Sequence, residues 1–227
     1  GNPNCGKTTL FNALTGTHQK VGNWSGVTVE QKTGQFKHAE ATFEVVDLPG
    51  TYSLHVSCED DSIDQQIAQR YILEESADLI VNIIDASSLE RGLYLTTQLM
   101  DAGVPLIVAL NMMDVADQNG IHIDPYELSE KIGFPVISLV ASRSEGIGTL
   151  IDVASNYLHK QSFKPHQVTV SEPLEQTAKQ LLTLMTEHDP NTSRLQATAL
   201  LERDASVLSQ FPEALQVKIK TEVDTLE

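Results

Sequence analysis

Up to residue 160 the apolar positions of this chain follow two alternating rhythms. Short runs of aliphatic residues bounded by turn-formers predict strands, and apolar residues spaced three or four apart predict helices. Thr8 to Leu14 reads as a first helix. The polar segment Gln19 to Val27, with Gly22, Gly26 and the lone Trp24, predicts a long loop without regular structure. Val29 to Phe36 and Thr42 to Leu48 predict two strands joined as an antiparallel hairpin by the mostly polar Lys37 to Ala41. Then come a helix over Ile63 to Glu75, a buried strand over Leu79 to Ile84, a helix over Leu89 to Ala102 and a strand over Pro105 to Leu110. Tyr126 to Ile132 predicts a helix, Pro135 to Val140 a strand and Ile147 to His159 a helix. Such alternation implies an α/β fold, a mostly parallel sheet with helices on both faces and ligands at the carboxyl ends of the strands.

The rhythm changes at Ser162-Phe163-Lys164-Pro165-His166, a short linker. Beyond it, Leu174, Ala178, Leu181, Leu182 and Met185, then Leu195, Ala199, Leu200 and Val207-Leu208, then Leu215, Val217, Ile219 and Val223 recur at helical spacing, with breaks at Pro190 and Pro212. Two or three helices are expected. The chain therefore divides into residues 1–162 and a small all-helical domain over residues 163–227. A length of 227 residues with 41% hydrophobic content suffices for one sizeable core and a small second one. The net charge of −16 repels phosphate backbones, which argues against nucleic acid as a partner. Cys5 and Cys58 give no disulfide framework, so a reducing, cytoplasmic compartment is the simpler expectation. No run of about 18 apolar residues appears that would span a membrane.

Chemistry is concentrated in the first eight residues. Gly1-Asn2-Pro3-Asn4-Cys5-Gly6-Lys7-Thr8 is an unbroken GxxxxGKT phosphate loop. Gly1 and Gly6 let the backbone turn tightly, so that successive N–H groups point at a β-phosphate. Lys7 brings a cation toward the β and γ oxygens, Thr8 offers its hydroxyl to Mg2+, and Thr9 follows at the start of the helix. Such a loop follows a buried strand, so the first strand is expected upstream of Gly1.

Three later motifs narrow the ligand. Asp47-Leu48-Pro49-Gly50 is a DxxG at a strand end: the carboxylate of Asp47 holds Mg2+ through water, and the Gly50 N–H meets a γ-phosphate. Asn111-Met112-Met113-Asp114 ends another strand, where an Asp114 carboxylate accepts the N1–H and 2-amino hydrogens of guanine. Adenine offers no such pair, and buried polar groups left unpaired by the wrong base exact a penalty of roughly 10⁴-fold. Met112 stands where a lysine usually covers the base, and its polarisable thioether can take that face. Ala141-Ser142-Arg143 stands where a backbone N–H would meet the base O6. Thr28 is the best placed threonine to contact Mg2+ and sense the γ-phosphate, with Thr17 the lesser candidate. GTP and GDP are the expected ligands.

These residues carry a family likeness. The phosphate loop with its continuation to Asn12, the segment Val21-Gly22-Asn23-Trp24-Ser25-Gly26-Val27-Thr28-Val29-Glu30, and Asp47 to Leu54 together resemble the cytoplasmic GTPase portion of the ferrous iron transporter B (FeoB) family. The likeness runs on through Asn111–Asp114 and Ala141–Gly146, and the tail resembles that family's guanine nucleotide dissociation inhibitor-like domain by position and composition. The resemblance implies a Ras-like P-loop GTPase domain followed by the helical domain. It also implies a membrane-embedded iron pathway further along the same polypeptide, at the bacterial inner membrane, and leaves homo-oligomers open.

Ras-like GTPases carry a glutamine just after DxxG to orient the attacking water. Here Thr51 and Tyr52 follow Gly50, so slow intrinsic hydrolysis is expected, with Thr51 assisting. The potassium-dependent GTPases resembled here imply a K+ held by Asn4 and the carbonyls of Gly22 and Trp24. Such an ion would replace part of an arginine finger, an effect of roughly 10³ to 10⁵-fold. Lys7, Thr28, Gly50 and Thr51 are then the catalytic candidates. The cluster His55, Cys58, Glu59, Asp60 and Asp61 reads as a solvated acidic loop rather than a metal site. A soluble GTPase of ribosome or tRNA maturation is the competing expectation, but such proteins carry basic appendages. Residues 165–227 hold five Lys and Arg against ten Asp and Glu.

Overall fold

A computed structural model describes residues 1–54, 63–74, 77–160 and 171–226. The first helix, α1 (Lys7–Thr15), leads into three antiparallel strands, β1 (Gln19–Asn23), β2 (Glu30–His38) and β3 (Ala41–Asp47), in the order β1-β2-β3. The expected hairpin is present, with Phe36 opposite Phe43 and their rings stacked 4.9 Å apart. The expected loop over Gln19 to Val27 is not wholly a loop. Its first five residues form β1, with Gln19 paired to Gly34 and Asn23 to Glu30. Four of the five are exposed, so β1 is an outer strand whose side chains need not alternate between core and solvent.

After α2 (Ile63–Glu74) come β4 (Ile80–Asp85), α3 (Leu89–Asp101), β5 (Leu106–Asn111), α4 (Met113–Gln118), α5 (Pro125–Ile132), β6 (Val136–Ser138) and α6 (Ile147–Lys160). The second sheet is parallel throughout, β4-β5-β6, with Ile80 beside Leu106 and Val108 beside Val136. Every residue of β5 is buried. Its side chains alternate between two cores: Leu106, Val108 and Leu110 pack with Leu95, Leu99 and Phe134, while Ile107 and Ala109 pack with Leu10, Ile147 and Leu150. Helices thus cover both faces, and each fully buried aliphatic side chain contributes about 1.5–3 kcal/mol relative to exposure. Between β3 and β4 runs a largely apolar cleft of about 700 Å3, lined by Val45 and Val46 on one side and Val81 and Ile83 on the other.

Among its described residues the helical tail has four helices where two or three were expected: α7 (Glu172–His188), α8 (Arg194–Leu201), α9 (Ala205–Ser209) and α10 (Glu213–Asp224). Leu181, Met185, Ala197, Phe211 and Ile219 form its core. The extra helix α9 is a five-residue turn capped by Asp204, whose carboxylate accepts from the Ser206 and Val207 amides. The expected boundary between residues 162 and 163 lies outside the described residues.

The tail docks on α3. Leu195 is buried in the same core cluster as Leu99, and Tyr94 donates to Glu202 at 2.7 Å. Burial and that carboxylate push the Tyr94 phenol up to about 12. Arg194 reaches Asp101 of α3 through Nε at 2.9 Å and grips Glu175 of α7 with both terminal nitrogens, at 3.0 and 2.7 Å. The paired guanidinium holds the Glu175 carboxyl below its ordinary value. No helix among the described residues is long and apolar enough to cross a membrane.

Candidate functional site

The loop before α1 is built on left-handed backbone. Asn4 (φ 64°) and Gly6 (φ 94°) both adopt it, and a Cβ on Gly6 would overlap the side-chain amide of Asn111. Gly6 caps α1 without any side-chain bond to the first-turn amides. Those N–H groups, at the positive end of the helix dipole, face an anion seat. Lys7 folds back over the loop, its Nζ donating to the Asn2 carbonyl at 2.7 Å. Cys5 is buried beneath it at 1% exposure, as a small packing residue rather than an accessible thiol.

DxxG reaches this loop from the end of β3. The Thr8 hydroxyl lies 3.3 Å from Oδ2 of Asp47 and donates to it. Burial pushes the Asp47 carboxyl up, opposed by Lys7, Thr8 and Lys32. Gly50 is pressed against the loop: a Cβ there would stand 2.8 Å from Lys7 Nζ and 2.9 Å from the Pro3 nitrogen. A side chain at residue 50 would push the lysine off its seat. Pro3, Asn4, Lys7, Thr8, Asp47 and Gly50, with Glu30 and Lys32 from β2, line an open cleft of about 440 Å3. The Gly1 carbonyl accepts from the Thr51 amide at 3.2 Å.

The side of the phosphate loop away from DxxG is tied together by one side chain. Asn111, at the end of β5 and only 3% exposed, donates through Nδ2 to the Cys5 carbonyl at 2.9 Å. Its Oδ1 accepts from the Ala141 amide, also at 2.9 Å. One buried amide therefore fixes three segments: the phosphate loop, the start of α4 and the turn Ala141–Arg143. Met112 takes left-handed backbone (φ 61°) to open α4, and Asp114 sits in the first turn of that helix. An Arg143 terminal nitrogen lies 3.1 Å from Oδ2 of Asp114. Ser142 and Arg143 are exposed, whereas Ala141 is buried.

The remaining candidates stay apart. Thr28 is exposed in the bend between β1 and β2, and it does not line the cleft although its neighbours Val29 and Glu30 do. Gly22 pairs with Gln31 in the β1–β2 ladder. Trp24 is buried edge-on to Tyr71, centroids 5.5 Å apart, and its carbonyl accepts from the Val27 amide at 3.2 Å. Neither Gly22 nor Trp24 lines the cleft that holds Asn4. Thr51 is 2% exposed and its hydroxyl donates to the Ser53 carbonyl, so this group is engaged locally. Thr9 is exposed on α1. The cluster from His55 to Asp61 lies outside the described residues.

Two features escaped sequence reasoning. Gln98 on α3 is buried at 3% exposure, accepts from the Leu54 amide at 2.7 Å and donates to the Ser53 hydroxyl at 3.1 Å. It pins the segment that follows DxxG. A polar residue inside the apolar stripe Leu95, Leu99, Met100 was the available signal. The second is the Arg143 side chain, noticed for its backbone position alone.

A family described as Ferrous iron transport protein B matches residues 1–154. The Fe(2+) transporter FeoB of Escherichia coli (strain K12) is 45% identical over 231 aligned residues, which cover 99% of this chain and 30% of that protein. The chain thus spans under a third of that relative's length. Among solved structures, a point mutant of S. thermophilus NFeoB bound to GDP superposes with a TM-score of 0.86 at 37% identity, covering 99% of this chain and 86% of that one. The cytosolic domain of L. pneumophila FeoB gives a TM-score of 0.82 at 41% identity, covering 100% of this chain and 90% of that one.

Proposed function

Because the chain belongs to the ferrous iron transport protein B family, we propose that it is the GTP-binding and GTP-hydrolysing part of a ferrous iron transporter. It works at the cytoplasmic face of the bacterial inner membrane. In this reading its nucleotide state gates or powers Fe2+ passage through a membrane domain of the same polypeptide. The observation that carries the nucleotide assignment is the double bond pattern of Asn111, which holds Asp114 and the Ala141 turn at a fixed offset from the phosphate loop. A carboxylate at that offset suits the N1–H and 2-amino edge of guanine. The GDP named for the S. thermophilus relative supports it.

At the other end the α1 amides and Lys7 take the β- and γ-phosphates. Thr8 and Asp47, 3.3 Å apart, form a hard-oxygen pair suited to Mg2+, and Thr28 joins them when the β1–β2 bend closes over the nucleotide. Held by these oxygens, Mg2+ would supply neutralisation of phosphate charge. Gly50 donates its N–H to the γ-phosphate, and backbone groups of the bend orient the attacking water. With no glutamine after Gly50 and the Thr51 hydroxyl directed at Ser53, turnover is slow. Asn4, exposed at the rim of the cleft, is the side chain for a K+ ligand, and the carbonyls of Gly22 and Trp24 join it only if β1 as well as the bend leaves its present pairing.

The functional reading is tested by phosphate release from GTP in KCl and in NaCl, for the native chain and Asn4→Ala. The native chain is expected to run at least about tenfold faster in KCl, and the variant equally slowly in both. Equal native rates in both salts would remove the potassium site, and no release at all would remove the GTPase.

A further inference from the structure

Arg143 is the one side chain that engages the carboxylate expected to read the base, with its terminal nitrogen 3.1 Å from Oδ2 of Asp114. The arginine is 57% exposed and the aspartate 23%, so the guanidinium comes in from the solvent side of the base seat. Among the described residues nothing else pairs with Asp114, and Arg143 pairs with nothing else. The seat for the base itself is fixed independently, by Asn111 between Cys5 and Ala141. Arg143 can therefore leave or stay without disturbing that frame.

Resting on the guanine reading above, we propose that Arg143 is a specificity-setting residue that stands in for the 2-amino group of guanine, so that this site also accepts inosine nucleotides. Guanine offers Asp114 two donors, N1–H and the 2-amino group. Both carboxylate oxygens are then served by the base, and Arg143 is displaced. Hypoxanthine offers N1–H alone. In a site without Arg143 the second oxygen would face the purine edge with no donor, the situation that makes such sites reject analogues. Here Arg143 keeps its place on Oδ2 while N1–H takes the other oxygen. The terminal nitrogen, 3.1 Å from Oδ2, is within reach to donate there. Adenine gains nothing from this, because its N1 is an acceptor and repels the carboxylate.

The test is the dissociation constant of GDP, IDP and ADP for the native chain, Arg143→Met and Arg143→Lys, by titration calorimetry at fixed Mg2+ and salt. Because Arg143 is exposed and outside every core cluster, the variants are expected to fold, which circular dichroism verifies. The native chain should bind IDP within about tenfold of GDP, and Arg143→Met should widen that gap by a further tenfold or so, mainly by weakening IDP. Arg143→Lys should restore part of the difference. A GDP to IDP ratio that is the same in the native chain and Arg143→Met overturns the proposal while leaving the guanine reading intact. A native chain that binds ADP as well as GDP overturns the guanine reading itself.

Discussion

The two ends of the nucleotide cleft are built to different standards. At the proposed base end Asn111 is buried and makes two hydrogen bonds, Ala141 is buried beside it, and Asp114 sits in the first turn of α4. At the phosphate end the loop and DxxG are in place, yet Thr28, Gly22 and Trp24 are held elsewhere by the β1–β2 ladder and its bend. The difference follows from what each end must do. Base and β-phosphate are present in GTP and GDP alike, so their seats are fixed by packing. On the proposed GTPase reading, a γ-phosphate is present only before hydrolysis, and the group that senses it has to move.

Asn111→Ala should give the largest effect, since it leaves the Cys5 carbonyl and the Ala141 amide without their partner. Stability should fall by about 2–4 kcal/mol and GDP affinity by roughly two orders of magnitude, read from denaturant unfolding and nucleotide titration. A loss of affinity below tenfold would mean that the base end is not braced through this amide. Gly50→Ala separates the two ends. Its new methyl would displace Lys7, so GTP hydrolysis in single-turnover assays should drop by roughly 10²-fold or more, while GDP affinity falls by the smaller factor of about tenfold, because Lys7 also serves the β-phosphate. If both quantities fall by the same factor, the ends are one unit and the contrast is lost.

A smaller effect probes the α3 side of the molecule, where the helical domain docks. Arg194→Met removes the ion pairs to Asp101 and Glu175 and should cost about 1–3 kcal/mol in thermal or denaturant unfolding. The pH dependence has a definite sign. Arg194 holds the Glu175 carboxyl below its ordinary 4.5 in the folded chain, so this stabilisation is complete above that value and is lost as pH falls through the depressed one. Native stability should therefore decline more steeply on the acid side than that of Arg194→Met. Parallel acid limbs would show that the pair contributes nothing.

Much of this was legible in the sequence because long elements and the nucleotide motifs carry strong local signals. β5 could be read from Pro105 to Leu110 since a doubly covered parallel strand is continuously apolar. β1 could not: Gln-Lys-Val-Gly-Asn pairs on one side with β2 and exposes most of its residues, so it has neither an apolar run nor an alternation. α4 and α9 were missed because helices of six and five residues are too short to show a period. In the site, the DxxG, Asn111 and Asp114 positions followed from spacing, since each sits at the carboxyl end of a strand. The partner of Asp114 did not, because Arg143 belongs to an exposed turn 29 positions further on and meets it only through the fold.

Asp114 offers the most direct test of the central claim, that the base end is a guanine seat set before the nucleotide arrives. The measurement is the affinity of GDP, ADP and XDP for the native chain and Asp114→Asn. The native chain should prefer GDP over ADP by roughly 10³-fold or more. The variant, whose amide N–H can donate to the 2-oxo group of xanthine, should lose GDP and gain XDP. Affinities for GDP and ADP within tenfold of each other, or a variant that still prefers GDP over XDP, would contradict the account.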